Sequence, residues 1–307
     1  MLGLGVRPRS REAGKRETGW DAPPPARRGD LFPRCAHPGC TSGWMCLWRS
    51  RRAPIFEGQW TCSPGCLRAH VAAAVERESQ SGPGGERSHR LPVGLILLEQ
   101  GSITEEQLRA ALAGQQRKAA ETGEAIRLGR WLLDSGLLSE TALTRALSAQ
   151  WSCPILSLEG SRSAEMGTAL PRLFAEALGA LPVRAAGRRL LTLAFSGRID
   201  RSLAYAVERM SRMRVVAGIA RESEFLREQT RFFAAPAPAT RCLEAESLRA
   251  LSGAIAAGLE REKPVEARLA RVHDFWWLRL WRRIPGEEGL PASNDVEDQI
   301  WSVGRAG

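Results

Sequence analysis

Lysine is almost missing from this chain. Only Lys15, Lys118 and Lys263 occur, so 41 of the 44 basic residues are arginine. The formal net charge is +10, but the excess is spread along the chain, whereas a nucleic-acid footprint gathers charge on one face. Nucleic acid is therefore not the expected partner. Long apolar runs are missing too. The longest, around Leu95–Leu98, is far too short to span a bilayer, and the charged N-terminus lacks the apolar core of a secretory signal. A cytoplasmic protein is expected. Histidine is scarce, with four residues, which leaves little for acid–base chemistry. No Gly-x4-Gly-Lys-Ser/Thr loop occurs: Gly14-Lys15 is followed by Arg16. Nor is there a Gly-x-Ser-x-Gly elbow, a His-Glu-x-x-His helix or a Gly-x-Gly-x-x-Gly turn. The chain reads as no enzyme, with no catalytic residues.

Cysteine is present, and clustered. Five of the seven lie between Cys35 and Cys66, while Cys153 and Cys242 stand alone. In a reducing compartment a local cluster reads as a metal site before it reads as disulfides. Cys35 and Cys40 form one pair, Cys62 and Cys66 another, with Trp44, Trp48, Phe56 and Trp60 between them. Each pair ends in Pro-Gly-Cys, at 38–40 and 64–66. Such a turn bends the backbone so that two thiolates can converge on one ion. A helical pattern follows, through Leu67, Val71, Ala74 and Val75. The expectation over 34–78 is a treble-clef-like zinc module with Cys35, Cys40, Cys62 and Cys66 as ligands and a structural role. His37 and His70 are alternative ligands, and Cys46 is a spectator.

Composition marks the joints. Residues 1–33, rich in Arg, Pro and Gly, predict disorder. Residues 79–90 predict a flexible linker, and 234–240 (AAPAPAT) a stiffer one. Between them an internal repeat opens the folded centre. Pro92-Val-Gly94-x-x-Leu97-Leu98-x-x-Gly101 aligns with Arg127-Leu128-Gly129-x-x-Leu132-Leu133-x-x-Gly136, and Leu108, Leu112 and Gln115 align with Leu143, Leu147 and Gln150, all offset by 35 residues. Each unit predicts a short helix, a left-handed glycine stop and a longer helix. Thr104 and Ser139 are the N-caps of the longer helices, and Thr104-x-x-Gln107 makes a capping box. Gly94 and Gly129, inside helices, each cost about 0.5–1 kcal/mol, so a ligand or a neighbouring helix should approach the backbone there.

The pattern Arg-Leu-Gly-x6-Gly-x6-Leu-x3-Leu-x2-Gln, present twice, resembles the N-terminal domain of type II secretion and type IV pilus ATPases. The second copy, 127–150, agrees at every defining position, whereas the first has Pro92-Val93 for Arg-Leu. The connector, Gln116–Ile126, is eleven residues. The resemblance covers 91–233. It implies repeats at 92–115 and 127–150, then a small α/β part with strands at 181–183, 189–194 and 214–216 and helices near 202–212 and 222–233. It also implies cyclic di-GMP as ligand, held by Arg127, Leu128, Gly129, Leu132, Gly136, Leu143, Leu147 and Gln150, with Gly94, Gly101 and Gln115 from the first copy. In that picture Arg127 meets a guanine or phosphate, the glycines admit the ring face, and the glutamines close the clasp. Arg90, Arg117 and Lys118 are candidates to replace the arginine lost at Pro92.

Beyond 240, Leu243, Leu248, Leu251, Ile255 and Leu259 have helical spacing. Pro264 breaks it, and a second helix is expected to about Ile284, with Trp277 and Trp281 on one face. This helical extension (241–284, then a tail 285–307) could rest on a membrane surface through Phe275–Arg283, dock in a partner's groove, or cover the α/β core. The expected class is thus α+β: a helical-hairpin repeat, a small α/β subdomain, an N-terminal zinc module and a C-terminal helical extension. The function it suggests is a regulatory adaptor of secretion or pilus machinery that senses cyclic di-GMP. The alternatives are an interaction scaffold without nucleotide, or a zinc-dependent nucleic-acid binder using Gln107, Arg109, Thr144 and Arg145.

Overall fold

A computed structural model describes residues 35–42, 54–80, 90–123, 126–187, 189–283 and 290–304. The expected disordered leader, Cys46, Trp44, Trp48 and most of the 79–90 linker lie outside the described residues. These described residues form one compact unit.

The cysteine segment folds as a turn, a hairpin and a helix. Cys40 N donates to His37 O (3.0 Å), closing the first Pro-Gly turn. Strand β1 (Ile55–Phe56) turns back through Glu57 and Gly58, both at positive φ, so that Phe56 and Gln59 exchange backbone hydrogen bonds. Helix α1 (Pro64–Gln80) starts at the second Pro-Gly-Cys, so the second cysteine pair opens a helix, as the spacing of Leu67, Val71, Ala74 and Val75 predicts. Ser63 Oγ accepts from Cys66 N at 3.2 Å, and proline is at home in the first helical position, where no N–H is needed.

The repeat folds as its periodicity predicts. α2 (Val93–Glu99) and α3 (Glu105–Thr122) make one hairpin; α4 (Leu128–Asp134) and α5 (Glu140–Trp151) make the other. Gly101 and Gly136 sit at φ +63° and +67°. The Thr104–Gln107 capping box forms in both directions, and Ser139 Oγ accepts from Ala142 N. Ile96, Leu97, Leu108, Ala111, Leu132 and Ala146 close a small core between the hairpins.

The α/β part adds α6 (Arg172–Leu178), β2 (Ala180–Ala186), β3 (Leu190–Phe195), α7 (Arg201–Ser211), β4 (Arg214–Ile219) and α8 (Glu222–Ala234). β2 and β3 pair antiparallel, β3 and β4 parallel across α7. The three strands and two longer helices stand where the sequence places them.

The C-terminal third does not. β5 (Ala239–Ala245), α9 (Leu248–Glu262), β6 (Glu266–Val272), β7 (Phe275–Trp281) and β8 (Val296–Val303) build a second sheet in the order β1-β6-β7-β8-β5. Only α9 keeps the expected helical form. The 234–240 linker runs into β5, and β8 lies in what reads as a tail. The stretch Phe275–Arg283, expected as a helix, is a central strand with its remnant. The reason is parity. Trp277 and Trp281 are four apart, which puts them on one face of a helix and equally on one face of a strand. The intervening Arg279 shares that face and is 1% exposed, which no solvated helix flank allows. Tryptophan and phenylalanine also favour strands. With Trp276, Trp277 and Trp281 buried, no amphipathic membrane helix exists here.

Nor is the cysteine module separate. β1 pairs parallel with β6, and α1 packs on α9. Phe56, Leu67, Val71 and Val75 share a core with Leu251, Ile255, Leu259, Leu269, Trp276 and Trp301. The opposite sheet face, with Val272, Trp277, Trp281 and Ile300, joins the core of the α/β part. Asp298, fully buried between them, accepts from Arg279 Nε and Nη2 (2.7 and 2.8 Å) and from Trp277 Nε1 (2.7 Å).

A charged seam locks α7 to the cysteine hairpin. Arg209 pairs with Glu57 and with Glu78 (2.5 Å to the latter), all three side chains at most 17% exposed. Glu57 Oε1 also accepts from Leu269 N at 2.6 Å. Burial holds the Glu78 carboxyl above its usual value, against the lowering pull of Arg209. Removing one partner from a buried cluster leaves uncompensated charge, at a cost of about 3–5 kcal/mol. Arg209→Met is thus expected to lose about that much stability in urea unfolding at neutral pH. A raised folded carboxyl pKa means stability is retained at low pH and lost as pH rises through it. The deficit of the variant should therefore shrink on acidification; a pH-independent deficit would contradict the charge argument.

Candidate functional site

The cysteine pairs meet. The Sγ atoms of Cys35, Cys40, Cys62 and Cys66 all lie within 4.8 Å of one another. Cys40 and Cys62 are 3.4 Å apart and Cys62 and Cys66 3.7 Å, far beyond a disulfide bond of about 2.05 Å. A tetrahedral ion with metal–sulfur bonds of about 2.3 Å sets its sulfurs about 3.8 Å apart, so the donor set fits such an ion. Burial pushes the Cys62 thiol up, but hydrogen bonding with Ser42 and with the thiols of Cys40, Cys66 and Cys35 outweighs it, bringing Cys62 down to about 6. Burial pushes Cys66 up to about 12, against Ser63 and with help from its neighbouring thiols. Four sulfurs at this spacing cannot all ionise unless a cation neutralises them. His70 is not part of the set: its Nε2 lies 3.3 Å from Phe56 O and its ring stacks edge-on against Phe56.

In the repeat, the long helices reach across to the other copy. Gln115 Nε2, at the end of the first copy, donates to Ile126 O, just before the second copy's short helix. Gln150 Nε2, at the end of the second copy, donates to Leu91 O (2.8 Å), just before the first copy's short helix. Donors and acceptors keep the 35-residue offset, so the two hairpins clasp each other about a pseudo-two-fold axis. Gln115 is thereby placed beside exposed Arg127, and Gln150 beside Pro92.

The helical glycines are explained by the fold itself. A Cβ on Gly94 would stand 3.0 Å from Leu108 Cδ1 and 3.2 Å from Leu128 Cδ2, and one on Gly129 would stand 2.9 Å from Leu143 Cδ1. A neighbouring leucine approaches the backbone at each of these glycines. Leu132 is fully buried, and Leu143 packs on the helical core while Leu147 packs on the α/β core. These leucines brace the motif from beneath. Gly101 and Gly136 meet nothing within 4 Å and serve the turns.

Arg127 caps α4 and is exposed, with Nη1 3.4 Å from where a Cβ on Gly197 would stand. The first copy has Pro92 there, but Arg90 lies over the Trp151 ring, 3.4 Å from its centroid. Lys118 faces Trp131 at 5.8 Å. The sequence flags Arg90 and Lys118; their aromatic platforms come from other helices. The second copy is also seated on α8: Arg130 reaches Glu222, and the Glu140 carboxylate accepts from Ser223 N (2.6 Å) and Oγ (2.8 Å). No local spacing announces those contacts.

Three of the four residues named for base contact are otherwise engaged, and the fourth, Arg145, is exposed. Gln107 completes a capping box, Arg109 pairs with Glu105, and Thr144 is buried with its hydroxyl on Glu140 O. Among the described residues, no helix is long and apolar enough to cross a membrane.

No family model matches the chain, and no curated protein does. Among solved structures it is similar to MshE with cdg (cyclic di-GMP), at 30% identity over 47% of this chain and 99% of that chain, with a TM-score of 0.38. It is also similar to the N-terminal domain of XpsE, at 18% identity over 46% of this chain and 92% of that one, with a TM-score of 0.35. A little under half of this chain, marked by a repeated motif that is complete at 127–150 (Arg127-Leu128-Gly129…Gln150) and has Pro92-Val93 in its first copy, resembles the N-terminal domain of the type II secretion and type IV pilus ATPases.

Proposed function

We propose that this protein is a non-catalytic regulatory adaptor of the secretion or pilus type, whose repeat binds cyclic di-GMP and whose four cysteines hold a structural zinc ion. The observation that carries the ligand is the complete second motif, 127–150, in a chain similar to MshE with cdg. Arg127, Leu128 and Gly129 form the main contact, with the arginine on a guanine edge or a phosphate. Gly94, Gln115, Gln150 and the turn glycines Gly101 and Gly136 shape the clasp, while Leu132, Leu143 and Leu147 support it. Arg90, held flat on Trp151, stands in for the arginine missing at Pro92. Its partners are components of the same machinery, approached as a soluble regulator.

An arginine meeting guanine edge-on contributes about 1–3 kcal/mol. In calorimetric titration with cyclic di-GMP, micromolar affinity is expected, weakened about tenfold or more by Arg127→Ala. No heat from a folded, metal-loaded sample at high micromolar ligand would leave a protein-interaction scaffold instead.

Four thiolates and no open position describe a structural zinc site, whose binding energy is folding energy. One zinc per chain is expected by elemental analysis. Cys62→Ser, or a strong chelator, should lower the thermal midpoint of the whole unit, because α1 and α9 share one core. A metal-free protein with an unchanged midpoint would overturn the zinc assignment.

A further inference from the structure

The two sheets have four edges among the described residues, and three are blunted. An open edge is a row of unpaired N–H and C=O groups, which soluble proteins shorten, interrupt or cover. β1 is two residues long. β4 is covered by an irregular segment: Leu156 N donates to Ile219 O (2.7 Å) and Ile219 N to Pro154 O (3.0 Å). β2 contains Pro182 and a register shift between Pro182 and Arg184, and Arg162 N donates to Val183 O (2.9 Å). β5 has no such guard. It pairs with β8 through all seven residues, has no proline, lysine or bulge, and no described strand pairs with its outer side. Its one cationic side chain, Arg241, is drawn to Glu262 and Glu297 of its own chain, so it does not stand guard over the edge either.

We infer that β5 is a dimerisation edge, pairing antiparallel with β5 of a second copy about a two-fold axis at Cys242. The strand's own sequence argues for that occupant. A two-fold perpendicular to the sheet keeps each face on its own side, so opposed residues must share parity. An axis at Cys242 pairs all seven residues: Arg241 opposite Leu243, Thr240 opposite Glu244, Ala239 opposite Ala245. No like charges meet, and a hydroxyl faces a carboxylate. An axis at Arg241 would oppose two guanidinium groups, and one at Leu243 would shorten the overlap. Cys242 is exposed in the single chain, and among the described residues no strand pairs with the outer side of β5. This inference is independent of the nucleotide and zinc readings.

Sedimentation velocity on the full chain over a wide concentration range tests it, with Cys242→Lys as the variant. Lysine at an exposed position spares the fold, but it sets two ammonium groups directly opposite each other, which is destabilising. A concentration-dependent dimer is expected from the native chain and a monomer from the variant, with the unfolding midpoint of the dilute variant unchanged. Register is read separately by mild oxidation with diamide, which takes up the two electrons and two protons released. Directly opposed residues have Cα atoms about 4.5–5.5 Å apart, within disulfide range. Cys242 should then bridge readily, as located by peptide mass mapping. A Cys242→Ser chain with Thr240→Cys, equally exposed but facing Glu244, should bridge at least tenfold more slowly. A monomer at every concentration, or equal bridging from both positions, overturns the proposal.

Discussion

The structure depends on a sheet that must be buried on both faces. Along β6, β7 and β8 apolar side chains alternate: Leu269, Trp276, Leu278 and Trp301 point one way, and Val272, Trp277, Trp281 and Ile300 the other. A strand with both sides apolar needs two covers. The α/β part supplies one. The other comes from α9 and, across the length of the chain, from α1 and Phe56 of the cysteine segment. The N-terminal and C-terminal regions are therefore one folding unit. A metal held by the four cysteines would staple a layer of a large core, not an isolated finger. On the face turned to the α/β part, the Arg279–Asp298 pair is tolerated because both carboxylate oxygens are partnered, by Arg279 Nε and Nη2 and by the Trp277 indole.

The covers also connect the regions. Glu57 lies in the hairpin between the two cysteine pairs, in a left-handed conformation that turns its carboxylate toward Leu269 N and Arg209. Arg209 belongs to α7, which packs in the same core as β3 and β4. On the far side of that core, Glu140 and Arg130 seat the second helical hairpin on α8. A continuous path of packed elements and hydrogen bonds thus runs from the four cysteines to the repeat.

The repeat shows how a duplicated motif divides its residues between folding and exposure. Its glycines and leucines interlock: Gly94 admits Leu108 and Leu128, and Gly129 admits Leu143. Its glutamines hold the partner hairpin's entry strand. Arg127 stays exposed, and Arg90 and Lys118 lie against tryptophan rings. Much of the motif's regularity therefore expresses helix packing.

Local physical chemistry was enough for much of this. Glycine stops, the Thr104 capping box, the 35-residue offset and the paired cysteines are short-range patterns, and each determined its element from the sequence alone. The four-sulfur cluster was legible for the same reason, because its spacing is set by one turn and one helix start. The fate of Phe275–Arg283 was not legible. Positions four apart share a face in a helix and in a strand, so only pairing with Glu266–Val272 and Val296–Val303 decided between them. Likewise the contacts Arg209–Glu57, Glu140–Ser223 and Gln150–Leu91 join residues far apart in the chain, and no window of sequence contains both partners. The sequence by itself determined the helices of the repeat and of the α/β part, the turns and the grouping of the four cysteines; the tertiary structure decided which faces are buried, because burial is a property of partners and not of spacing.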